Sequence, residues 1–382
     1  MAANLAVLEL LGTLRHEGRP AHPDEQVVLA RWSGWGSLPQ LFDEDNDTYA
    51  TQRARARQLL GDEDAWAAAR RTTLNAHYTS AEVVGAMWRT VGELGFAGGR
   101  VLEPGCGSGN FLGLAPEGCD LTGVEADPTT AAIARHLYGA RAIIRHARFE
   151  ALVVPDGHFD LVIGNVPFAK LTPHDPRHNR SRQALHNYFI IKSLHLTRPG
   201  GLVAVLTSRY TIDARNPGAR REIDELADLV GAVRFPAGAF SQSSGTEVVC
   251  DLLVLRRREA GAEHRGPAWT NTVAAPVEAA GESLFVNEHL VAHPQFVLGR
   301  LGVHRGMYRE KELTVEATGP LGPAMDAAFG HLVDEARSAG LTMTPGATTE
   351  EPLVVRTPVP AEAGAFTQEG SFAIDSGRLV RV

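Results

Sequence analysis

The sequence predicts an α/β protein built on a doubly wound, mostly parallel seven-stranded sheet, with a helical extension in front and a small region behind. Three observations predict it. A short apolar strand at Val101-Leu102 breaks into Gly105-Cys-Gly-Ser-Gly109 and then a helix, the entry of a nucleotide-binding sheet. From Arg100 to Arg258 short apolar runs alternate with helical patterns, a cadence that produces a parallel sheet covered on both faces. A further apolar strand, Asp160-Leu-Val-Ile-Gly164, ends in the polar and proline-containing tip Asn165-Val-Pro-Phe168. In a parallel sheet that tip faces the same crevice as the glycine turn.

Length and composition bound the answer. A chain of 382 residues, 44% hydrophobic and 21% charged, suits one large domain with appendages, or two to three smaller ones. No apolar run is long enough to span a bilayer, and Met1 to Leu14 lacks the pattern of a secretory signal, which points to the cytoplasm. Cys106, Cys119 and Cys250 form no CxxC pair, so neither a disulfide framework nor a zinc site is expected, no metal is, and all three read as buried thiols. A P-loop is missing too, which argues against an ATPase. The net charge of −8 hides a basic stretch: positions 170–260 hold 14 Lys and Arg against 9 Asp and Glu, leaving −13 elsewhere. Arg177, Arg180 and Arg182, then Arg209, Arg215, Arg220 and Arg221, fall just after the strand tip. Such a surface suits a phosphate backbone, and on charge alone a solvated face equally well.

In chain order, residues 1–71 carry helical spacing at Leu5-Leu8-Leu11-Leu14 and from Tyr49 to Leu60, and read as an N-terminal helical extension. Within it, Arg31-Trp-Ser-Gly-Trp-Gly-Ser-Leu-Pro39 suggests a tight turn whose rings anchor a helical cap onto a neighbouring surface. Thr79 or Ser80 caps a helix burying Val83 and Met87. The domain proper spans 72–258. After the glycine turn come a helix from Asn110 to Leu114, strand Leu121–Glu125, helix Pro128–Tyr138, strand Ala142–Ile144 and strand Asp160–Gly164. Next are helix Asn187–Leu196, strand Gly201–Leu206, a helix closing over Asp224–Leu229, and strands Gly231–Phe235 and Val248–Leu255. Residues 259–382 read as a linker plus a small accessory or target-recognition region. Within it, helical character falls at 285–306 and 324–339, and a hairpin at 372–382.

The residues of the glycine turn select a ligand. Gly105, Gly107 and Gly109 let backbone approach a ligand and leave free N–H groups at a helix start. A dinucleotide fingerprint places glycine at position 110, where this chain has Asn, which disfavours NAD. Glu125, at the end of the next strand, is placed to accept both ribose hydroxyls of a nucleoside. Glu103, beside the loop, repels a pyrophosphate and attracts an ammonium group. A ligand with a ribose, an amino-acid ammonium and no phosphate is S-adenosylmethionine.

At the second tip, the Asn165 side-chain oxygen and the Val166 carbonyl are two acceptors that can pull an adenine N6 amine towards tetrahedral geometry. Its lone pair then points at the methyl group, so positioning and fixed dipoles suffice without a strong base. Pro167 stiffens the tip, and Phe168 offers a face to an extruded base.

On these residues the chain resembles a gamma-class adenine-N6 DNA methyltransferase over about Asn75 to Arg258. More closely it is similar to the methylase portion of phage- and plasmid-associated helicase–methylase proteins, the Trp-Ser-Gly-Trp-Gly segment included. The resemblance implies the class I S-adenosylmethionine-dependent methyltransferase fold and double-stranded DNA as substrate, with a role in restriction-modification, phage defence or antirestriction. It also implies a helicase or defence-system partner. By that resemblance His77, Tyr78 and Thr79 close over the cofactor, and Arg148 and Phe149 flank its adenine. Asn165 to Phe168 becomes the Asn-Pro-Pro-aromatic catalytic motif, and Phe240 a second aromatic against the flipped base. Arg177 and Arg180 are candidate substrate contacts, and Leu171 to His186 with the region after Glu259 candidate target-recognition segments. Two departures stand out: Val166 replaces the first proline, and Arg148 stands where an Asp commonly meets the adenine. Relatives of the motif acting on RNA or on protein glutamine, and a binding component without turnover, are the alternatives. The helicase portion does not follow in this chain, which suits a stand-alone form or a fragment equally.

Overall fold

The computed structural model describes residues 1–36, 38–73, 79–169, 171–240, 249–277, 284–304 and 311–346, and two short strands near the C-terminus. Strands β1 (Gly99–Pro104), β2 (Cys119–Glu125), β3 (Ala142–His146), β4 (Phe159–Asn165), β5 (Thr197–Ser208), β6 (Ala227–Arg234) and β7 (Cys250–Arg257) form one sheet. Their order is β3-β2-β1-β4-β5-β7-β6. β1 to β5 are parallel, and β7 runs antiparallel to both β5 and β6. This is the mostly parallel seven-stranded sheet that the alternating pattern predicts, and the class I S-adenosylmethionine-dependent methyltransferase fold that the resemblance implies. The apolar runs are continuous because both faces are covered: every residue of β6 is buried, as are the last four of β1.

The flanking helices carry the expected local signals. α5 (Ala81–Glu93) starts at Ser80, whose hydroxyl accepts from the Val83 N–H, and buries Val83, Met87 and Trp88 against the sheet. α6 (Asn110–Gly113) follows the glycine turn, and α7 (Pro128–Tyr138) begins with proline after an Asp127 cap. α8 (Leu185–Leu196) precedes β5, α9 (Tyr210–Asp213) follows it, and α10 (Gly218–Leu226) leads into β6.

Ahead of the sheet, α1 (Ala2–Glu17), α2 (Pro23–Leu29), α3 (Ala50–Leu60) and α4 (Glu63–Thr72) enclose a second apolar core, which reaches Ile133 of α7. The tryptophans organise it: Trp32 meets Trp35 edge-on at 5.3 Å, Trp35 meets Phe42 at 5.6 Å, and Phe42 meets Trp66 at 4.6 Å. Trp32 Nε1 donates to Thr130 Oγ1 at 3.3 Å, and Gln26 Nε2 to the His136 carbonyl at 2.9 Å. The helical layer is thereby fastened to α7.

Three sequence expectations are corrected. The helix read as closing over Asp224–Leu229 stops at Leu226, because from Ala227 onwards the chain is buried on both sides and pairs with β7. Helical character at 285–306 resolves into β9 (Phe285–Asn287, paired with β8, Thr272–Ala274), a short α11 (Glu288–Ala292) and β10 (Arg300–His304). Pro294 and the positive φ of 151° at Gly299 interrupt any longer helix. Cys119, expected as a buried thiol, is only partly buried.

The segment set apart by composition joins the main core. β11 (Glu312–Glu316) pairs with β10, and α12 (Leu321–Ala339) buries Met325, Phe329, Leu332 and Val333 in the core that holds α5 and β6. The expected terminal hairpin is present as β12 (Phe372–Asp375) against β13 (Arg378–Arg381). Among the described residues no helix is long and apolar enough to cross a membrane.

Candidate active site

A cavity of about 510 Å³ opens at the carboxyl ends of β1, β2 and β4. Its floor is the glycine turn. Gly105, Gly107 and Gly109 have φ of 71°, 55° and 94°, a region that L side chains avoid. A Cβ on Gly109 would stand 2.6 Å from the Tyr138 ring, and one on Gly105 3.6 Å from Pro167. Glycine therefore brings the turn against both α7 and the β4 tip.

Two carboxyl groups face this floor. Glu103 is buried, and its Oε2 has no hydrogen-bond partner. Burial pushes its pKa well up; the N–H groups of Leu112 and Phe111 pull it down, and the charge of Glu125 raises it again. A buried, unsatisfied carboxyl oxygen in a ligand-sized cavity wants a donor, and an ammonium is one. Glu125 accepts from Gly107 N at 2.9 Å and from Asp127 N at 2.7 Å. Burial raises its pKa to about 7 against those N–H groups. Each bonded oxygen keeps a second lone pair for a ligand hydroxyl. Cys106, also on the floor, is no nucleophile: burial, then Glu103, pushes its thiol pKa well up.

The β4 tip forms the opposite wall. Asn165, Val166 and Pro167 line the cavity. Val166 is buried, and its N–H donates to the Leu206 carbonyl at 3.0 Å, prolonging the β4–β5 pairing past the strand end. Asn165 Nδ2 donates to Thr79 Oγ1 at 3.2 Å. The Thr79 carbonyl in turn accepts from Asn110 Nδ2 at 3.0 Å. Thr79 thus ties the β4 tip to the first residue of α6. His77 and Tyr78 lie outside the described residues.

Phe149 and Arg148 also line the cavity, with Leu185 and Phe189 of α8 beside them. Phe149 is buried 4.7 Å from the Phe189 ring, whereas Arg148 is exposed and pairs with Glu150 at 2.9 Å. The remaining candidates lie outside this lining. Phe168 is partly buried against the core, and Phe240 is buried 5.3 Å from Phe235. Arg177 is exposed and pairs with Asp156 at 2.9 Å, while exposed Arg180 donates to the Pro176 carbonyl. The basic cluster is split as well: Arg220 is buried and donates to the Thr270 carbonyl, and Arg215 sits over the Phe285 ring.

Two features escape the sequence reading. Gly34, Ala68, Arg71 and Thr72 of the helical layer line the same cavity, so it is walled partly by residues ahead of the glycine turn. Lys192 of α8, buried to 1%, donates to the carbonyls of Phe149 at 2.8 Å and Glu150 at 3.3 Å and to Asp175 Oδ2 at 3.2 Å. Asp175 also accepts from the Tyr188 hydroxyl at 2.8 Å. In sequence, a lysine amid Phe189-Ile-Ile-Lys-Ser-Leu194 gives no sign of whom it serves.

Residues 101–186 match the family described as "Methyltransferase domain". Over this segment the chain is similar to a methyltransferase domain. The methyl donor is S-adenosylmethionine, and the glycine floor, the unsatisfied Glu103 oxygen and the Glu125 lone pairs fit that molecule's ammonium and ribose. The chain is 28% identical over 193 residues to the "Defense against restriction protein B" of Escherichia phage P1. That match covers 49% of this chain and 8% of the phage protein, so the chain spans less than a tenth of that relative's length. Among solved structures, a protein assigned to the class I S-adenosylmethionine-dependent methyltransferases of Listeria monocytogenes matches at 15% identity and TM-score 0.42, over 69% of this chain and 90% of that one. The methyltransferase subunit of a type I restriction-modification system from Streptococcus thermophilus matches at 16% identity and TM-score 0.42, over 67% and 66%.

Proposed function

We propose that this methyltransferase domain transfers a methyl group from S-adenosylmethionine to the exocyclic N6 of adenine in double-stranded DNA, with the base flipped out of the helix. The observation that carries the reading is the Asn165 amide on the wall of the cavity that holds the glycine floor, steadied by Thr79. Glu103 takes the donor's ammonium and Glu125 its ribose, with His77, Tyr78 and Thr79 closing over it and Phe149 beside its adenine. Gly105, Gly107 and Gly109 admit the donor to the backbone. The Asn165 oxygen and the Val166 carbonyl accept the two N6 hydrogens, so the motif's first proline is not needed at position 166: only the carbonyl of that residue enters. Pro167 keeps that carbonyl in place. Phe168, with Phe240, supplies aromatic surface to the base, and Arg177 and Arg180 attract the phosphates. The name of the phage P1 relative favours a setting in antirestriction or phage defence; a cytoplasmic location and a helicase or other defence-system partner are proposed with it from the family resemblance.

Incubation with tritiated S-adenosylmethionine and adenine-containing duplexes, followed by nucleoside analysis, tests the reading. Label in N6-methyladenine is expected. Label only in RNA or in protein glutamine sinks the substrate assignment, and cofactor binding without any product sinks the enzyme. Asn165→Ala is expected to lower turnover at least a hundredfold while cofactor affinity stays within threefold. Glu125→Ala is expected to do the reverse.

A further inference from the structure

At the reactive edge of the sheet, one aromatic side chain has no role in the catalytic scheme. Tyr210 follows β5, whose Leu206 is in register with Asn165 of β4, so it stands on the strand adjoining the catalytic tip, four residues past that level. It is 41% exposed, an unusual position for a large ring, and it does not line the donor cavity. Its ring is braced: the Arg209 guanidinium lies 4.3 Å from the ring centroid, and Arg209 Nη2 donates to the Tyr210 hydroxyl at 3.0 Å.

Arg209 is itself held from below. It approaches Asp213 at 3.8 Å, and Asp213 pairs with the buried Arg234 at 2.7 Å, which pairs with Asp251 at 2.8 Å. This ion cluster joins β6, β7 and α9 under the edge. A ring fixed at its hydroxyl and along one flank loses little entropy when a second planar group stacks on it. The guanidinium adds positive charge beside that surface, and exposed Arg177, Arg180 and Arg182 stand on the loop after the neighbouring strand tip. An exposed ring backed by a cation suits a nucleobase next to a phosphate, the ring taking the base and the guanidinium the phosphate.

We infer that Tyr210, braced by Arg209, is a stacking platform for a nucleobase next to the acceptor, a base-binding site separate from the aromatic of the β4 tip. The inference rests on the nucleic-acid reading given above. It is tested by fluorescence anisotropy with a labelled duplex carrying one unpaired adenine, with S-adenosylhomocysteine in the donor site. Tyr210→Ala is expected to weaken DNA binding about 5- to 150-fold, the range for removal of one base–aromatic stack. Tyr210→Trp and Tyr210→Phe stay within threefold of the parent. The salt dependence of binding keeps its slope in Tyr210→Ala, because no charge is lost, and becomes shallower in Arg209→Ala. Unchanged S-adenosylhomocysteine affinity in Tyr210→Ala verifies that the fold and donor site are intact. Parent-like DNA affinity in Tyr210→Ala overturns the platform while leaving the nucleic-acid reading in place. A parent protein that neither binds nor methylates DNA or RNA overturns both.

Discussion

The Thr79 hydroxyl accepts a hydrogen bond from Asn165 Nδ2 at 3.2 Å, across 86 positions of sequence. An asparagine amide is two-sided, and fixing its nitrogen fixes where its oxygen points. Thr79→Val keeps the shape and removes that acceptor. Loss of one such bond is worth about 1 kcal/mol, so turnover should fall about fivefold with little change in cofactor affinity, and Thr79→Ser should restore it. Steady-state kinetics with both substrates varied decides the matter; a change in cofactor KM with turnover intact would show that Thr79 serves the donor alone and does not act through Asn165.

Cofactor affinity should depend on pH through Glu125. Burial holds its carboxyl at about 7, above its ordinary 4.5, so the folded chain keeps this proton more firmly than the unfolded one. Its contribution to stability therefore declines as pH climbs from about 4.5 to about 7 and is level above. A ribose hydroxyl donates better to the ionised group, so affinity should rise about tenfold per pH unit up to about 7 and then flatten. Calorimetric titration across pH 5.5 to 8.5 reads this directly. In Glu125→Gln the slope should disappear.

Lys192 braces the turn that carries Phe149. Lys192→Met removes one member of a buried ion pair and leaves Asp175 without its cation, which costs about 3–5 kcal/mol. Thermal unfolding should show that loss, and cofactor affinity should weaken with it, because the Phe149 and Glu150 carbonyls lose their donor. The double variant with Asp175→Asn should cost less than the two single costs added.

These sites differ in how far the sequence reveals them. β1, β2 and β4 are apolar runs that meet turn residues at once, so the glycine turn and the Asn165 tip stand out by local pattern alone. Lys192 and Thr79 act through groups 17 to 86 positions away, and no local pattern reports such partners. The helical layer hides its contribution for the same reason: Gly34 and Arg71 meet the cavity only because Trp32 fastens the layer to α7. Phe285 to His304 misleads because its apolar residues are buried around several short elements rather than along one helix.

Gly109 offers the most local test. At φ 94° an alanine is strained by about 1–2 kcal/mol, and its Cβ would stand 2.6 Å from the Tyr138 ring. Gly109→Ala should lower the melting temperature and weaken the cofactor at least tenfold. Gly18, equally left-handed at φ 63° but with open space around its Cβ, is the control: Gly18→Ala should cost stability alone. Equal cofactor loss in both variants would refute a role for the Gly109 turn.

The one reversed strand has an architectural consequence. Because β7 runs against its neighbours, the link joining Arg234 to Cys250 leaves and re-enters the sheet on the side where chemistry happens. Insertions there can grow, shrink or be exchanged without rewiring a single parallel crossover. None of the described residues of this link lines the cavity at the ends of β1, β2 and β4, so the floor that meets the donor does not depend on its length.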